Sequence, residues 1–440
     1  MAGIGLEMLR AEIGGCEALR HLARVVEVGR GVLAVSGIGP DWRLGDRVRL
    51  ADGAHTGGEV VALGHGRATV LTDGPVDGVR LGDGLELLGS GGIAPDDSWI
   101  GRVVDPFGRA IDGMPMMRGA RERMLRASPP APSQRKRLGA RLETGVAVFN
   151  TLLPLVRGQR IGLFAGSGVG KSSLLAKFAR GVEADVTVIA LIGERGRELR
   201  EFVEGVLGPE GMVRSVIVAA TSDQSPLVRR RCAWAAMAVA EHFRDQGKQV
   251  LFLADSITRF AEAHREVALA AGEPPSLRGF PPSTSHLIMS LAERAGPGPE
   301  AAGDITAVFS VLVAGSDMDE PVADILRGVL DGHVVMEREI AERGRYPAIN
   351  LLRSVSRSLP HAASEAENLL IARARRLLGA YDRVELMIQA GLYARGSDVL
   401  VDAAIRVWPA LDAFLSEDEP DGTAASFDRL RRILDRAGEP

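Results

Sequence analysis

The hydrophobic pattern changes texture three times along this chain. Between about residues 25 and 92, apolar and polar positions alternate in short runs. These are Gly31–Val35, Asp46–Leu50, Glu59–Leu63, Ala68–Leu71 and Leu85–Leu88, with glycine and aspartate between them. Short strands at even spacing predict a small β-barrel. From about Gly139 to Pro360, unbroken apolar runs alternate with helical periodicity. Arg160–Ala165, Val186–Ile192, Val213–Ala219, Gln249–Ala254 and Thr306–Leu312 read as buried strands. Leu227–Arg244 reads as a helix with Cys232, Ala236, Val239 and Phe243 on one face. That alternation predicts an α/β domain, a mostly parallel sheet covered on both faces. After Pro360 only helical patterns remain, over Ser364–Leu378, Arg383–Ala390, Val399–Trp408 and Ser426–Arg436.

The joins between these textures carry their own expectations. Residues Leu6 to Val25 have helical spacing, broken by Gly14-Gly15, with Leu6, Leu9, Ile13, Leu19 and Leu22 along one face. This is either a helix packed on its own domain or a detachable partner-binding helix. Trp99 to Gly113 reads as strand, turn and strand. Ala127 to Arg137 is a Pro-rich surface connector within a domain. Glu417–Asp421 reads as a solvated turn. The expected layout is a helical segment at 1–24, a barrel at 25–95, an α/β domain at 96–360 and a helical domain at 361–440.

Composition narrows the class of function. The 440 residues are 46% apolar and 25% charged, ordinary for a soluble globular chain of several domains. Net charge is −4 and aromatics make up 4%, so neither a basic field nor stacking platforms invite nucleic acid. The barrel offers only Trp42 as an aromatic. Cys16 and Cys232 lie far apart without metal spacing, and the eight histidines are dispersed. No apolar run reaches membrane-spanning length, and Glu7 and Glu12 interrupt any signal-peptide pattern. A cytoplasmic protein is expected.

The chemistry concentrates at Ala165-Gly166-Ser167-Gly168-Val169-Gly170-Lys171-Ser172, with Ser173 behind it. An apolar strand enters this stretch, and Leu174, Leu175 and Phe178 leave it at helical spacing. That context makes it a phosphate-binding P-loop. Glycines let successive N–H groups turn inward around phosphate oxygens at the positive end of the next helix. Lys171 would reach the β/γ-phosphates and Ser172 would hold Mg²⁺. Only Lys136, Lys171, Lys177 and Lys248 among 53 basic residues are lysine. A compact ammonium fits a backbone-lined phosphate cup where a planar guanidinium does not. Ala165 departs from the motif's usual first glycine.

Other candidates follow in chain order. Glu194 and Arg195 directly follow the strand after the P-loop helix. A carboxylate there would take a proton from the water attacking the γ-phosphate, although spacing alone equally allows a surface Glu/Arg pair. Asp255 ends the apolar strand Val250–Asp255 and would orient a Mg²⁺-bound water. Tyr346 would stack on adenine and Arg357 would cover charge on the γ-phosphate. Spacing leaves ordinary packing or surface roles open for both.

The series GRVVDPFGRAIDG, GLFAGSGVGKSS, GERGRE, LFLADSITRF, AGEPPSLRGFPPS and YPAINLLRSVSR resembles the catalytic subunits of rotary-type ATPases. Within them it looks most like the flagellar type III protein-export ATPases. The resemblance spans about residues 25 to 400. It implies a β-barrel, a RecA-like nucleotide domain and a helical C-terminal domain. It also implies that Lys171 and Ser172 are the P-loop pair, Glu194 the catalytic carboxylate, Arg195 a phosphate-side cation and Asp255 the Mg²⁺-side aspartate. Tyr346 then matches the adenine-stacking tyrosine, and Arg357 an arginine finger reaching into a neighbouring subunit's site. One chain with both base and finger would complete its own sites as a homohexamer.

The family further implies ATP and Mg²⁺, a regulator at the N-terminal helix, a central stalk-like export protein, an export gate and chaperones. It places the ring at the cytoplasmic face of the inner membrane. Ser283–Leu287 departs from the usual run after the Gly-aromatic-Pro-Pro segment, and the Gly-Gly break departs from the family's regulator-binding helix. Other readings are an injectisome ATPase, a rotary synthase subunit, an RNA-translocating hexamer and a catalytically silent assembly subunit. Glu194 together with Lys171 argues against the last.

Overall fold

The computed structural model describes residues 21–29, 31–51, 57–313 and 318–438. The helical stretch expected over residues 6–20 lies outside these, and with it the proposed regulator-binding segment. The chain first forms β1 (Leu22–Val28), β2 (Val32–Ser36), β3 (Arg47–Leu50), β4 (Gly57–Gly64), β5 (Arg67–Thr72) and β6 (Gly84–Gly89). These close into a barrel in the order β1-β2-β5-β4-β3-β6. Closure removes the free edges that short strands otherwise expose. Val25, Leu33, Val35, Val48, Val60, Val70 and Leu85 fill its interior, and Trp42 is buried with them. Trp42 is therefore a core residue and not a stacking platform.

One sequence expectation is corrected here. Leu22 to Val25 is strand, not the last turn of a helix. Ala23 and Val25 point inward, and β1 pairs with both β2 and β6. Short apolar spacing fits either period, and the ladders on both sides decide for strand.

The second body is a mostly parallel sheet. Its strands are β7 (Val103–Val104), β8 (Arg160–Ala165), β9 (Val186–Glu194), β10 (Ser215–Thr221), β11 (Val250–Asp255), β12 (Gly296–Pro297), β13 (Asp304–Leu312), β14 (Gly332–Met336) and β15 (Ile349–Ser356). The order is β15-β14-β8-β13-β11-β9-β10-β7, with β12 beside β13. Helices α1 (Lys171–Gly181), α2 (Pro226–Asp245), α3 (Ile257–Ala270) and α4 (Ser283–Arg294) are among those that cover it. One buried cluster packs α2 and α3 against Val188, Val218, Phe252 and Phe309; another packs α1 on the opposite face.

Three elements differ from the sequence reading. The Trp99–Gly113 segment yields only β7 and a bridge from Val104 to Ala110. The reason is local: Asp105 accepts from the Phe107 and Arg109 backbone N–H groups and closes a turn instead. β14 and β15 were not anticipated, because β14 is only five residues long and β15 is an edge strand with a mixed burial pattern.

Three helices close the chain, α5 (Glu365–Gln389), α6 (Val399–Phe414) and α7 (Gly422–Asp435). Ser364 opens α5 with a capping box to Glu367. Two predicted helices thus merge into one. Ile371, Leu377, Leu411 and Leu430 join the same buried cluster as α1. The Glu417–Asp421 stretch is only in part the solvated turn expected: Asp418, Pro420 and Asp421 are exposed, but the stretch is anchored. Glu419 is buried, Glu417 pairs with Arg429 at 2.6 Å, and Asp418 pairs with Lys177 of α1 at 2.5 Å. Charge density alone did not reveal these partners.

A buried ion pair locks α2 to α4. Arg294 meets Glu241 with two bonds of 2.8 and 2.7 Å, and their side chains are 2% and 5% exposed. Glu241→Ala strands the guanidinium, and such losses cost about 3–5 kcal/mol. Urea denaturation should show a midpoint drop with little change in slope; an unchanged midpoint would refute the assignment.

Candidate active site

The site lies at the carboxyl edge of the parallel strands, where β8, β13, β11, β9 and β10 end side by side. Ligands bind at this edge in open α/β sheets because loops there project helix N-termini toward one crevice. β8 ends at buried Ala165, and the chain turns through Gly166 to Gly170 into α1. Gly168 and Gly170 adopt φ of 79° and 89°, the left-handed region that favours glycine. A Cβ on Gly170 would also meet the Tyr346 ring at 3.1 Å. Val169 points into the core while Ser167 and Gly168 face solvent. No side chain caps α1, and its first turn holds no acidic residue. Its leading N–H groups are thus left for an anion.

Lys171, the first residue of α1, reaches across β13 to pair with Asp255 at the end of β11. Asp255 is buried and also accepts a 2.8 Å bond from Ser310 of β13. Ser172 and Ser173 are exposed on the first turn. The next strand, β9, ends in Glu194, half-buried in the same crevice. Burial, followed by the neighbouring Asp255 carboxylate, pushes the Glu194 carboxyl up to about 7; Lys171 opposes this. Glu198 shares a hydrogen bond with Glu194, which lowers the Glu198 carboxyl. The crevice therefore holds one ammonium, one buried carboxylate and one carboxyl poised near neutrality. A carboxyl poised there suits proton transfer at physiological pH.

Arg195 is placed differently from its neighbour. It precedes the short helix Gly196–Glu201, its side chain is 76% exposed, and it pairs with Glu198 at 2.8 Å. Tyr346 stands beside the P-loop at Gly170 and is half-exposed. Arg357 stands apart. β15 runs antiparallel to β14, so Ile349 lies at the P-loop end and Ser356 at the far end. The Arg357 backbone donates to Asp331, which itself donates to Arg160 at the start of β8. That is roughly 17 Å down the sheet from Ala165. Its guanidinium is exposed and, among the described residues, hydrogen-bonds to the Arg327 carbonyl alone, at 3.3 Å.

Two further residues join the crevice without having been singled out from sequence. Arg259, on α3, packs its stem against Gly193; its pairing with Glu262 at 2.9 Å chiefly holds it charged, and Glu194 and Glu198 add to this. It follows Asp255 by four residues behind the Ser256 cap, a signal that was present but unread. Ser310 had no sequence signal at all.

Comparison with known proteins agrees with this fold. The nucleotide-binding domain of the ATP synthase alpha/beta family matches residues 145–356, and the C-terminal domain of the type III secretion EscN ATPase matches residues 363–434. The flagellum-specific ATP synthase of Caulobacter vibrioides is 46% identical over 422 residues, covering 92% of this chain and 95% of that protein. The type 3 secretion system ATPase of Pseudomonas syringae is 41% identical over 433 residues, covering 96% of each. Among solved structures, the assembled EscN ATPase of enteropathogenic E. coli superposes with a TM-score of 0.87 at 36% identity. It covers 94% of this chain and 100% of that one. EscN in complex with its central stalk EscO gives a TM-score of 0.85 at 36% identity, with the same coverage. A P-loop crevice of this form on this three-part fold, with relatives matched nearly end to end, places the chain in the ATP synthase alpha/beta family, among its type III export ATPases.

Proposed function

We propose that this chain hydrolyses ATP with Mg²⁺ as a homohexameric ring and thereby energises export of flagellar proteins through a type III apparatus. The observation that carries the ring is the position of Arg357. It lies at the wrong end of the sheet to serve its own P-loop, yet it is exposed and free of any carboxylate among the described residues. A neighbouring subunit is the natural recipient, with catalysis only at subunit boundaries.

Within one site, the backbone of Gly166 to Gly170 would cradle the phosphates and Lys171 would move from Asp255 toward them. Glu194 would accept the proton of the attacking water, and Arg259 would balance its charge. Tyr346 would hold the base against Gly170. Mg²⁺ offsets phosphate charge when bound, and the oxygen donors of Ser172 and Asp255 suit this hard ion. No group of three or more metal-binding side chains occurs among the described residues, which fits an ion held largely by the nucleotide and water.

Exposed Leu386, Leu392 and Val399, at 81%, 73% and 66%, form an apolar tip where α5 leads into α6. We assign this tip to a stalk partner like the one EscN carries. Among the described residues, no helix is long and apolar enough to cross a membrane. Association with the inner membrane would then be peripheral, through the export gate, with chaperones delivering clients.

Lys171→Ala removes the only ammonium in the cradle. Nucleotide binding should be lost by calorimetry, and the variant should fail to restore filaments to a strain lacking the gene. Restoration by the wild type of needle secretion but not filaments would select the injectisome alternative. The pH profile gives a separate check. A base with pKa near 7 must lose its proton to act, so kcat/KM should rise through an acid limb near pH 7. Glu198→Gln removes a neighbour that favours the protonated form, so the limb should move to lower pH. An unmoved limb would remove Glu194 from the profile.

A further inference from the structure

A cleft separate from the nucleotide crevice has a volume of about 1110 Å³ and opens between the barrel and the 105–118 segment of the sheet domain. Its lining holds Arg47, Arg49, Arg109, Arg118 and Arg231 against the carboxylates Asp73 and Glu122, in a chain whose net charge is −4. Three guanidiniums surround one ring: Arg231, Arg47 and Arg109 lie 4.7, 5.2 and 5.6 Å from the centre of Phe107.

The charges there are unevenly matched. Arg47 pairs with Asp73, Arg49 with Glu86 at 2.8 Å, and Arg118 with Glu122 at 3.5 Å. Arg231 and Arg109 have no carboxylate partner among the described residues. Arg231 is 7% exposed and donates only to the carbonyls of Pro106 and Gly91. Burial, then the nearby Arg47, push it down to about 10, so it remains cationic at neutral pH. Glu59, Asp73 and Asp105 offset this charge only from beyond ion-pair distance, so it is incompletely matched, and a buried charge is costly unless something supplies the opposite sign at close range. Beside this pair stand Met114 and Met117, 55% and 50% exposed, with Met116 partly buried between them. Three of the chain's 12 methionines thus fall within four positions. Flexible, polarizable methionine suits a surface that accepts varied apolar side chains.

We propose that this cleft is a docking site for an extended acidic peptide segment of a partner protein. Carboxylates of the peptide would bind Arg109 and Arg231, and its apolar side chains would lie on the methionines. Guanidinium offers carboxylate two parallel bonds, which makes the match directional. The volume has room for roughly eight residues at interior packing density. The position, across the crevice's supporting domain and against the barrel, is separate from the P-loop edge.

The test uses the full chain and a fluorescein-labelled peptide of alternating glutamate and leucine, read by anisotropy at low salt. Saturable binding is expected, weakened about tenfold when glutamine replaces glutamate in the peptide. Arg109→Glu should weaken it about tenfold, and Met117→Ser should weaken it measurably. Both residues are exposed, so both variants should fold and keep wild-type ATP turnover. Equal binding of the glutamine peptide, or unchanged affinity in Arg109→Glu, would overturn the proposal. So would displacement of the peptide by inorganic pyrophosphate from Lys171→Ala protein, which would reassign the cleft to small anions.

Discussion

An Arg357→Ala ring should bind ATP normally and turn it over about 10³-fold more slowly, the scale on which arginine fingers act. The cause is geometric. Each subunit's guanidinium sits at the far end of its own sheet, about a strand's length from its own Lys171. Arg357 can therefore meet charge developing on a γ-phosphate only across an interface. The decisive experiment mixes Arg357→Ala subunits with Lys171→Ala subunits, each inactive alone. Random assembly places an intact P-loop beside an intact finger at about a quarter of interfaces. Activity should return to roughly that fraction. Rings shown by mass to be mixed, yet still silent, would mean that Arg357 serves some other purpose.

Glu194→Gln should keep ATP bound and reduce turnover by about 10²–10⁴-fold, the usual worth of a positioned general base. The amide preserves size and accepts a hydrogen bond, but it cannot take a proton from water. It also removes a carboxyl that burial and Asp255 hold near neutrality. The linkage has a definite sign. A carboxyl whose folded pKa is raised favours the folded state at low pH. That contribution is lost as pH climbs from the ordinary carboxylate range through about 7. The variant's stability should therefore vary less with pH than the wild type's across that window. Turnover near wild type, with nucleotide still bound, would rule out the base.

These two predictions separate the members of the crevice. Lys171 is read by binding, Glu194 by turnover and Arg357 by complementation between subunits. Arg195 is expected to matter less, because it faces solvent and pairs with Glu198. Arg259, whose stem packs on Gly193, is the better-placed cation within a single chain.

Much of this was legible in the amino-acid order because the relevant physics is local. The P-loop is a run of small residues that permits left-handed turns, followed by one lysine and a helix, and every part is adjacent in the chain. The buried strands declared themselves by unbroken apolar runs, and the barrel by alternation. Other features depend on residues far apart in sequence, which no local pattern encodes. Whether Leu22–Val25 is helix or strand was settled by β2 and β6, which supply the hydrogen bonds on both sides. Ser310 reaches Asp255 only because β13 lies next to β11. The acidic stretch at 417–421 is anchored because Lys177 and Arg429 happen to face it. The same holds for the proton affinity of Glu194 and the remoteness of Arg357: one is set by burial among charges, the other by a strand that turns back. Chain order determined which groups are available; packing decided which of them meet, because fields and contacts act through space.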